Sequence, residues 1–214
     1  MKQFIVAIIA ILILVLPSAN AIADGLEPIG SEEAKQLAKR LCEEAAKVEK
    51  PQIKIEPDAE KANGLHSPGK VGLMIVPQKD LKEGEELAAK FKTDKGASLA
   101  FLFLYNLAPV IDGKTVDASK LRSLKFTDNG GTEHTVHVLL LAVRQLSEDD
   151  YRLQAYGHDE KPLIESKFSE GEKQGPEPIG VDVKEVNEQT RQGKLIVTVF
   201  GKYKAEFQCG HKVN

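Results

Sequence analysis

Ser67-Pro68-Gly69-Lys70 has the serine-to-lysine spacing that penicillin-recognising enzymes use for a nucleophile and its base. That chemistry needs both side chains on one helix and further motifs elsewhere. Here Pro68 and Gly69 fill the interior positions, and neither Ser-Asp-Asn nor Lys-Thr-Gly occurs, so the segment reads as a surface turn. Gly113-Lys114-Thr115 has the ending of a phosphate-binding loop. The position five residues before Gly113 is Ala108, however, and Lys114 follows a hairpin signal instead of opening a helix. No Gly-x-Ser-x-Gly elbow and no His-Glu-x-x-His motif is present, so the familiar signatures of hydrolysis are missing.

Five histidines, His66, His134, His137, His158 and His211, are the available imidazole ligands. His134 and His137 are three apart, which on a regular strand sends them to opposite faces. Cys209-Gly210-His211 would make a metal-binding end only with a free thiol. The acidic pairs Asp149-Asp150 and Asp159-Glu160 lack the spaced oxygen ligands of a calcium loop and read as solvated turns. Paired carboxylates for glycoside cleavage are defined by distance, not by sequence. No catalytic, cofactor-binding or metal-binding residue is singled out.

The elements that position these residues begin with a helix over 31–49. Ser31 can cap it, Glu32 and Glu33 suit its positive end, and Pro51 closes it. Ala34, Leu37, Ala38, Leu41, Cys42, Ala45 and Val48 recur at steps of three and four, one apolar stripe that carries Cys42. From Gln52 the period becomes two. Strands are expected at 53–55, 71–76, 97–107, 121–127, 135–143, 151–156, 163–168, 181–186, 195–200 and 202–209. Turn chemistry at Asp112-Gly113, Asn129-Gly130-Gly131, Glu148-Asp149-Asp150 and Gly157-His158-Asp159 separates many of them. Residues 80–92 read as a second short helix weakened by Gly84. Residues 57–70 and 169–178 read as irregular. The pattern predicts a mainly β chain with an N-terminal helix, an antiparallel β-sandwich or open barrel forming one domain over 24–214.

Cys42 and Cys209 are the only cysteines. On the last strand Tyr203, Ala205, Phe207 and Cys209 alternate with Lys202, Lys204, Glu206 and Gln208, so Cys209 points inward. Two inward cysteines near the ends of the chain predict a disulfide joining the helix to the closing strand. It would close a loop from 42 to 209 worth about 5 kcal/mol in the chain-entropy model, less any strain.

Export makes that bond chemically permissible. Lys2, an apolar run over 4–16, Pro17 and two Ala-x-Ala sites ending at Ala21 and Ala23 are the parts of a secretory signal peptide, with cleavage expected after Ala21 or Ala23. The expected location is periplasmic or extracellular, with no membrane span after cleavage. Removing residues 1–23 leaves 191 of 214 residues and, with Lys2 gone, moves the formal charge from -3 to -4. Basic residues are interspersed with acids, which excludes the basic stripe of a nucleic-acid partner. With no tryptophan and four tyrosines, stacking of sugars is weakly served. Tyr105, Tyr151 and Tyr203 lie on apolar faces, whereas Tyr156, out of phase with Leu153, is the best exposed ring. The apolar run at 99–104 fits a strand buried on both sides better than a ligand cavity.

The stretch Val71-Gly72-Leu73-Met74-Ile75-Val76-Pro77, the segment over 104–116 with its Asp-Gly-Lys turn, Lys120-Leu121-Arg122 and Leu139-Leu140-Leu141-Ala142-Val143-Arg144 resemble uncharacterised secreted proteins of planctomycete bacteria. The resemblance covers about half the chain and implies an exported bacterial protein without implying an activity. Three functions follow. The first is a non-catalytic exported module that binds another protein, a surface polymer or a small ligand, without a cofactor. The second is an exported enzyme, such as a hydrolase, whose groups meet only in three dimensions. The third is a periplasmic metal-binding protein using the histidines.

Overall fold

In the computed structural model the described residues are 26–47, 51–67, 70–94, 96–127, 131–173, 175, 177–187 and 189–211. Lys2, the apolar leader and both cleavage sites lie outside them. The elements in order are β1 (Glu27–Pro28), α1 (Ser31–Ala46), β2 (Asn63–Ser67), β3 (Val71–Pro77), α2 (Glu85–Phe91), β4 (Ala97–Tyr105) and β5 (Leu107–Ile111). There follow β6 (Lys114–Thr115), β7 (Arg122–Thr127), β8 (Glu133–Ser147), β9 (Asp150–Tyr156), β10 (Ile164–Lys167), β11 (Ser169–Glu170), β12 (Ile179–Asn187), β13 (Gln192–Val199) and β14 (Tyr203–His211). Every pairing between these strands is antiparallel.

The first sheet runs β1-β2-β3-β4-β8-β9-β10, with β7 also on β8. The long β8 pairs β4 on one side. On its other side it carries β7 against its first half and β9 against its second. The second sheet runs β12-β13-β14-β5-β6, with β11 also on β14. The chain changes sheet between β4 and β5, between β6 and β7 and between β10 and β11, and the first and last of these are tight corners. At Asn106 the backbone takes φ 53°, a left-handed conformation asparagine tolerates, and the side-chain amide donates to the Lys70 carbonyl at 2.7 Å. At Phe168 the backbone N–H donates to the Tyr151 carbonyl at 2.9 Å. The expected single strand over 97–107 is therefore two strands in different sheets.

Between the sheets lies an aliphatic core of Leu73, Ile75, Leu102, Leu104, Leu139, Leu141, Leu195 and Val197, all almost fully buried. The outer face of the first sheet is buried too, because α1 lies across it and packs Ala34, Ala38, Leu41, Cys42 and Ala45 against a cluster that includes Met74, Val76, Phe103, Val138 and Leu140. The protein thus has three layers, helix on sheet on sheet. β4, central in the first sheet, is covered on both faces, as the run at 99–104 predicts.

Local chemistry accounts for most boundaries. Asp112 (φ 51°) and Gly113 (φ 74°) both take positive φ between Ile111 and its partner Lys114, the two-residue turn that matches strand twist. The helix cap differs from expectation: Gly30, not Ser31, precedes the first helical residue, and no side chain caps it. β1 and the bond from Ile29 N–H to the Gly64 carbonyl (2.9 Å) fix the approach instead. Residues 53–55 are not a strand. Ile53 and Ile55 are buried under α1, but Ser98 Oγ donates to the Lys54 carbonyl at 2.7 Å and Gln78 Oε1 accepts from Glu56 N–H at 2.8 Å, so side chains satisfy this backbone. Conversely, 57–70 contains β2, and β11 lies in the expected loop after Phe168.

The disulfide is the main correction. Cys42 and Cys209 are both free thiols. Each is buried as its pattern requires, but Cys42 belongs to the cluster under α1 and Cys209 to the core between the sheets, so the first sheet separates them. The helix packs on β2, β3 and β7 instead of on the closing strand β14.

Candidate functional site

The residues with recognisable spacing stay dispersed. Ser67 ends β2, and Lys70 N–H donates to its carbonyl at 3.0 Å across a hairpin turn, so the pair has no helical frame. Lys114 is exposed on β6. His134 stacks on Phe126 at 5.2 Å on the α1 side. His137, three residues on in a ladder of unbroken register with β7, points to the other face. Among the described residues no three His, Cys, Asp or Glu side chains converge as metal ligands. Asp150 is held by Arg152 through bonds of 2.8 and 3.0 Å, which keeps its carboxyl below the usual range. Burial pushes both thiols up to about 12, so neither is a nucleophile near neutral pH.

One pair invisible to sequence spacing is formed across the β7–β8 ladder, where Ser123 sits opposite His137 and its Oγ lies 3.0 Å from Nδ1. The histidine is buried and the serine exposed. Nearby, buried Arg122 donates from Nε to the Gly157 carbonyl (2.9 Å) and from Nη2 to Gln52 Oε1 (2.8 Å), tying β7 to the end of β9 and to the segment after α1. Glycine is required at 157, since a Cβ there would lie 2.2 Å from the Lys120 carbonyl oxygen. Tyr156 is not an exposed ring. It is buried on the α1 side, where its hydroxyl donates to Gln154 Oε1 at 2.8 Å, and Gln154 in turn donates to Glu165 at 2.8 Å.

The feature with the character of a binding site is a cleft at one end of the sandwich. α2 forms one wall, β8 and β9 of the first sheet another, and β11, β13, β14 and the corner between the sheets the third. It encloses about 580 Å³, within the roughly 300–1,000 Å³ of small-molecule sites. Phe91, Tyr151, Phe168, Phe200 and Tyr203 line it, five of the eight phenylalanines and four tyrosines in the chain. Phe91 meets Tyr151 edge to face at 5.9 Å and 82°, pinning α2 to the sheet.

Phe200 is held in the left-handed region at φ 52°, which costs a bulky residue about 1–2 kcal/mol. Its N–H donates to the Pro178 carbonyl at 2.9 Å, and Gly201 completes the turn at φ 72°. Strain of this kind concentrates at ligand clamps, and here it fixes a wall of the cleft. Lys202, next in the turn, reaches Glu83 at 3.1 Å and Glu170 at 3.9 Å and lies 4.6 Å over the Tyr203 ring. Its contacts with Tyr203 and then Glu83 hold the ammonium above its ordinary range.

The groove on the other flank of α2 is larger, about 830 Å³, but it is lined mainly by charges of both signs, among them Lys54 paired with Glu56 at 2.8 Å. In comparisons with known proteins, no family model, no curated protein and no solved structure matches the chain. No sequence pattern marks the aromatic cleft, because its residues come from five separate elements and turns. The available signals were Leu87 and Phe91 on the short helix and Tyr203 on the alternating face, and no spacing links them.

Proposed function

We propose that this chain is an exported, non-catalytic binding module that holds a small ligand with an apolar body in the cleft beside α2. The observation that carries the reading is the gathering of five aromatic side chains around a space of about 580 Å³ at the open end of an otherwise closely packed sandwich. Export rests on the signal-peptide pattern of the first 23 residues. Buried thiols are compatible with an oxidising compartment, because a buried, protonated thiol is slow to react.

A second reading, an exported hydrolase, rests on the contact between Ser123 and His137. That pair lies on a ladder outside the residues lining the cleft. One experiment separates the two. Protein recovered after export is titrated with the neutral fluorophore N-phenyl-1-naphthylamine and, in parallel, exposed to a fluorophosphonate. The expected result is saturable fluorescence enhancement, weakened about tenfold or more (≥1.4 kcal/mol) by Leu87→Asp and unaffected by Lys54→Ala in the polar groove, with Ser123 unlabelled. Absence of fluorophore binding together with labelling of Ser123 would replace the binding reading by the hydrolase.

A further inference from the structure

Resting on the cleft as a ligand site, we propose that its ligand is an amphiphilic organic cation, with the apolar body among the aromatic walls and an ammonium group at the mouth. Three observations lead there. Apart from tyrosine, the ionisable side chains described as lining the cleft are all acids: Glu83, Asp149 and Glu170. Lys202 is shared between Glu83 and Glu170, and Asp149 has no salt bridge among the described residues. Three carboxylates and no cation thus line the cleft, and the printed ion pairs to them come from Lys202 alone, so the lining itself is acidic. An anionic head group would meet like charge there and is disfavoured.

The second observation is what Lys202 itself does. Its ammonium lies 4.6 Å from the centroid of the Tyr203 ring while pairing with Glu83. The chain thus already seats an alkylammonium by the combination of ring face and carboxylate that recognises organic cations. The third is the material of the walls. Phe91, Tyr151, Phe168 and Phe200 offer π surface and almost no oxygen ligands, and no three acidic side chains converge among the described residues. A hard metal ion needs a shell of oxygens. A trimethylammonium or alkylammonium group, weakly hydrated and carried on an apolar body, fits both the charge and the surface.

The test uses three probes with a common eight-carbon chain, all below their micelle concentrations and at low ionic strength: octyltrimethylammonium, octyl glucoside and octyl sulfate. Isothermal titration of the exported protein should rank them cation, neutral, anion, with about tenfold between the first two. Raising the salt to 0.5 M should compress that gap. Asp149→Asn combined with Glu170→Gln should close it to within about twofold; both side chains are exposed, and an unchanged thermal midpoint verifies the fold. A neutral probe that binds as tightly as the cation, or an anion that leads, overturns the cation assignment and leaves the cleft a binding site. Failure of all three probes to bind overturns both this inference and the function proposed above.

Discussion

The two faces of the first sheet bury aliphatic side chains of the same kind under different covers. Its inner face meets a second sheet, broad enough to enclose a continuous aliphatic core, and at the end where α2 stands the aromatic cleft opens beside it. Its outer face meets a single 16-residue helix whose alanines let it lie close but whose width covers few strands. Polar side chains beside the helix are therefore buried without a hydrophobic partner and must be satisfied internally, as Arg122 is by Gly157 and Gln52 and Gln154 is by Tyr156 and Glu165. A narrow cover yields closed polar networks. A broad one yields an apolar interior whose unfinished end can accept a ligand.

The contrast is broken or sharpened most strongly by truncating one leucine on each side. Leu102 on β4 is fully buried between rigid ladders, so Leu102→Ala should leave a cavity that cannot collapse and cost about 3–5 kcal/mol in urea unfolding. Leu41, equally shielded but on a helix able to settle toward the sheet, should cost about 2–3 kcal/mol as Leu41→Ala. A larger loss at Leu41 would mean that the helix, not the second sheet, dominates stability.

A smaller effect concerns the polar atom that the inner side leaves unsatisfied. Among the described residues, His211 Nδ1 is the buried side-chain atom without a hydrogen-bond partner. Burial foremost, then the charge of Arg191, lowers its pKa from 6.5. The unfolded chain therefore takes up the proton first as pH falls. The His211 contribution is complete above about pH 6.5 and is lost as pH drops through the lower folded value. The urea midpoint of the wild type should fall more between pH 7.5 and 5.5 than that of His211→Gln. Equal falls would remove His211 as a source of acid sensitivity.

The smallest expected effect is none. Because the first sheet stands between Cys42 and Cys209, a reductant should leave the unfolding midpoint unchanged. A bridge would register as the loss of about 5 kcal/mol.

How far the fold was legible depends on how local its determinants were. The helix stripe through Ala34, Leu41 and Cys42, the hairpin at Asp112-Gly113 and the alternation of β14 were read correctly, since each follows from a few adjacent residues. The segment around Ile53 and Ile55 read as a strand because its apolar residues alternate, yet no ladder accepts it and side chains take its backbone bonds. Tyr156 shows the same limit at the level of faces. Its phase opposite Leu153 was right, but the face opposite the core turned out to be a second buried compartment and not solvent. The separation of His134 and His137 survived because strand period alone decides it. No spacing in the sequence links Ser123 to His137, or Phe91, Tyr151, Phe168, Phe200 and Tyr203 to one another, because both groupings depend on strand register and on packing between separate segments.

By itself, then, the sequence determined that this is a strand-rich chain with an amphipathic N-terminal helix and two inward-facing cysteines. Side-chain period and turn sterics act over a handful of residues and need no knowledge of neighbours. Only the tertiary structure decided what each inward face meets. The order β3-β4-β8-β9 puts a sheet between the two thiols, and the end of the sandwich beside α2 collects the aromatic rings. Those outcomes follow from which distant strands exchange backbone hydrogen bonds, a choice made by the total burial of the assembled layers and not by any one segment.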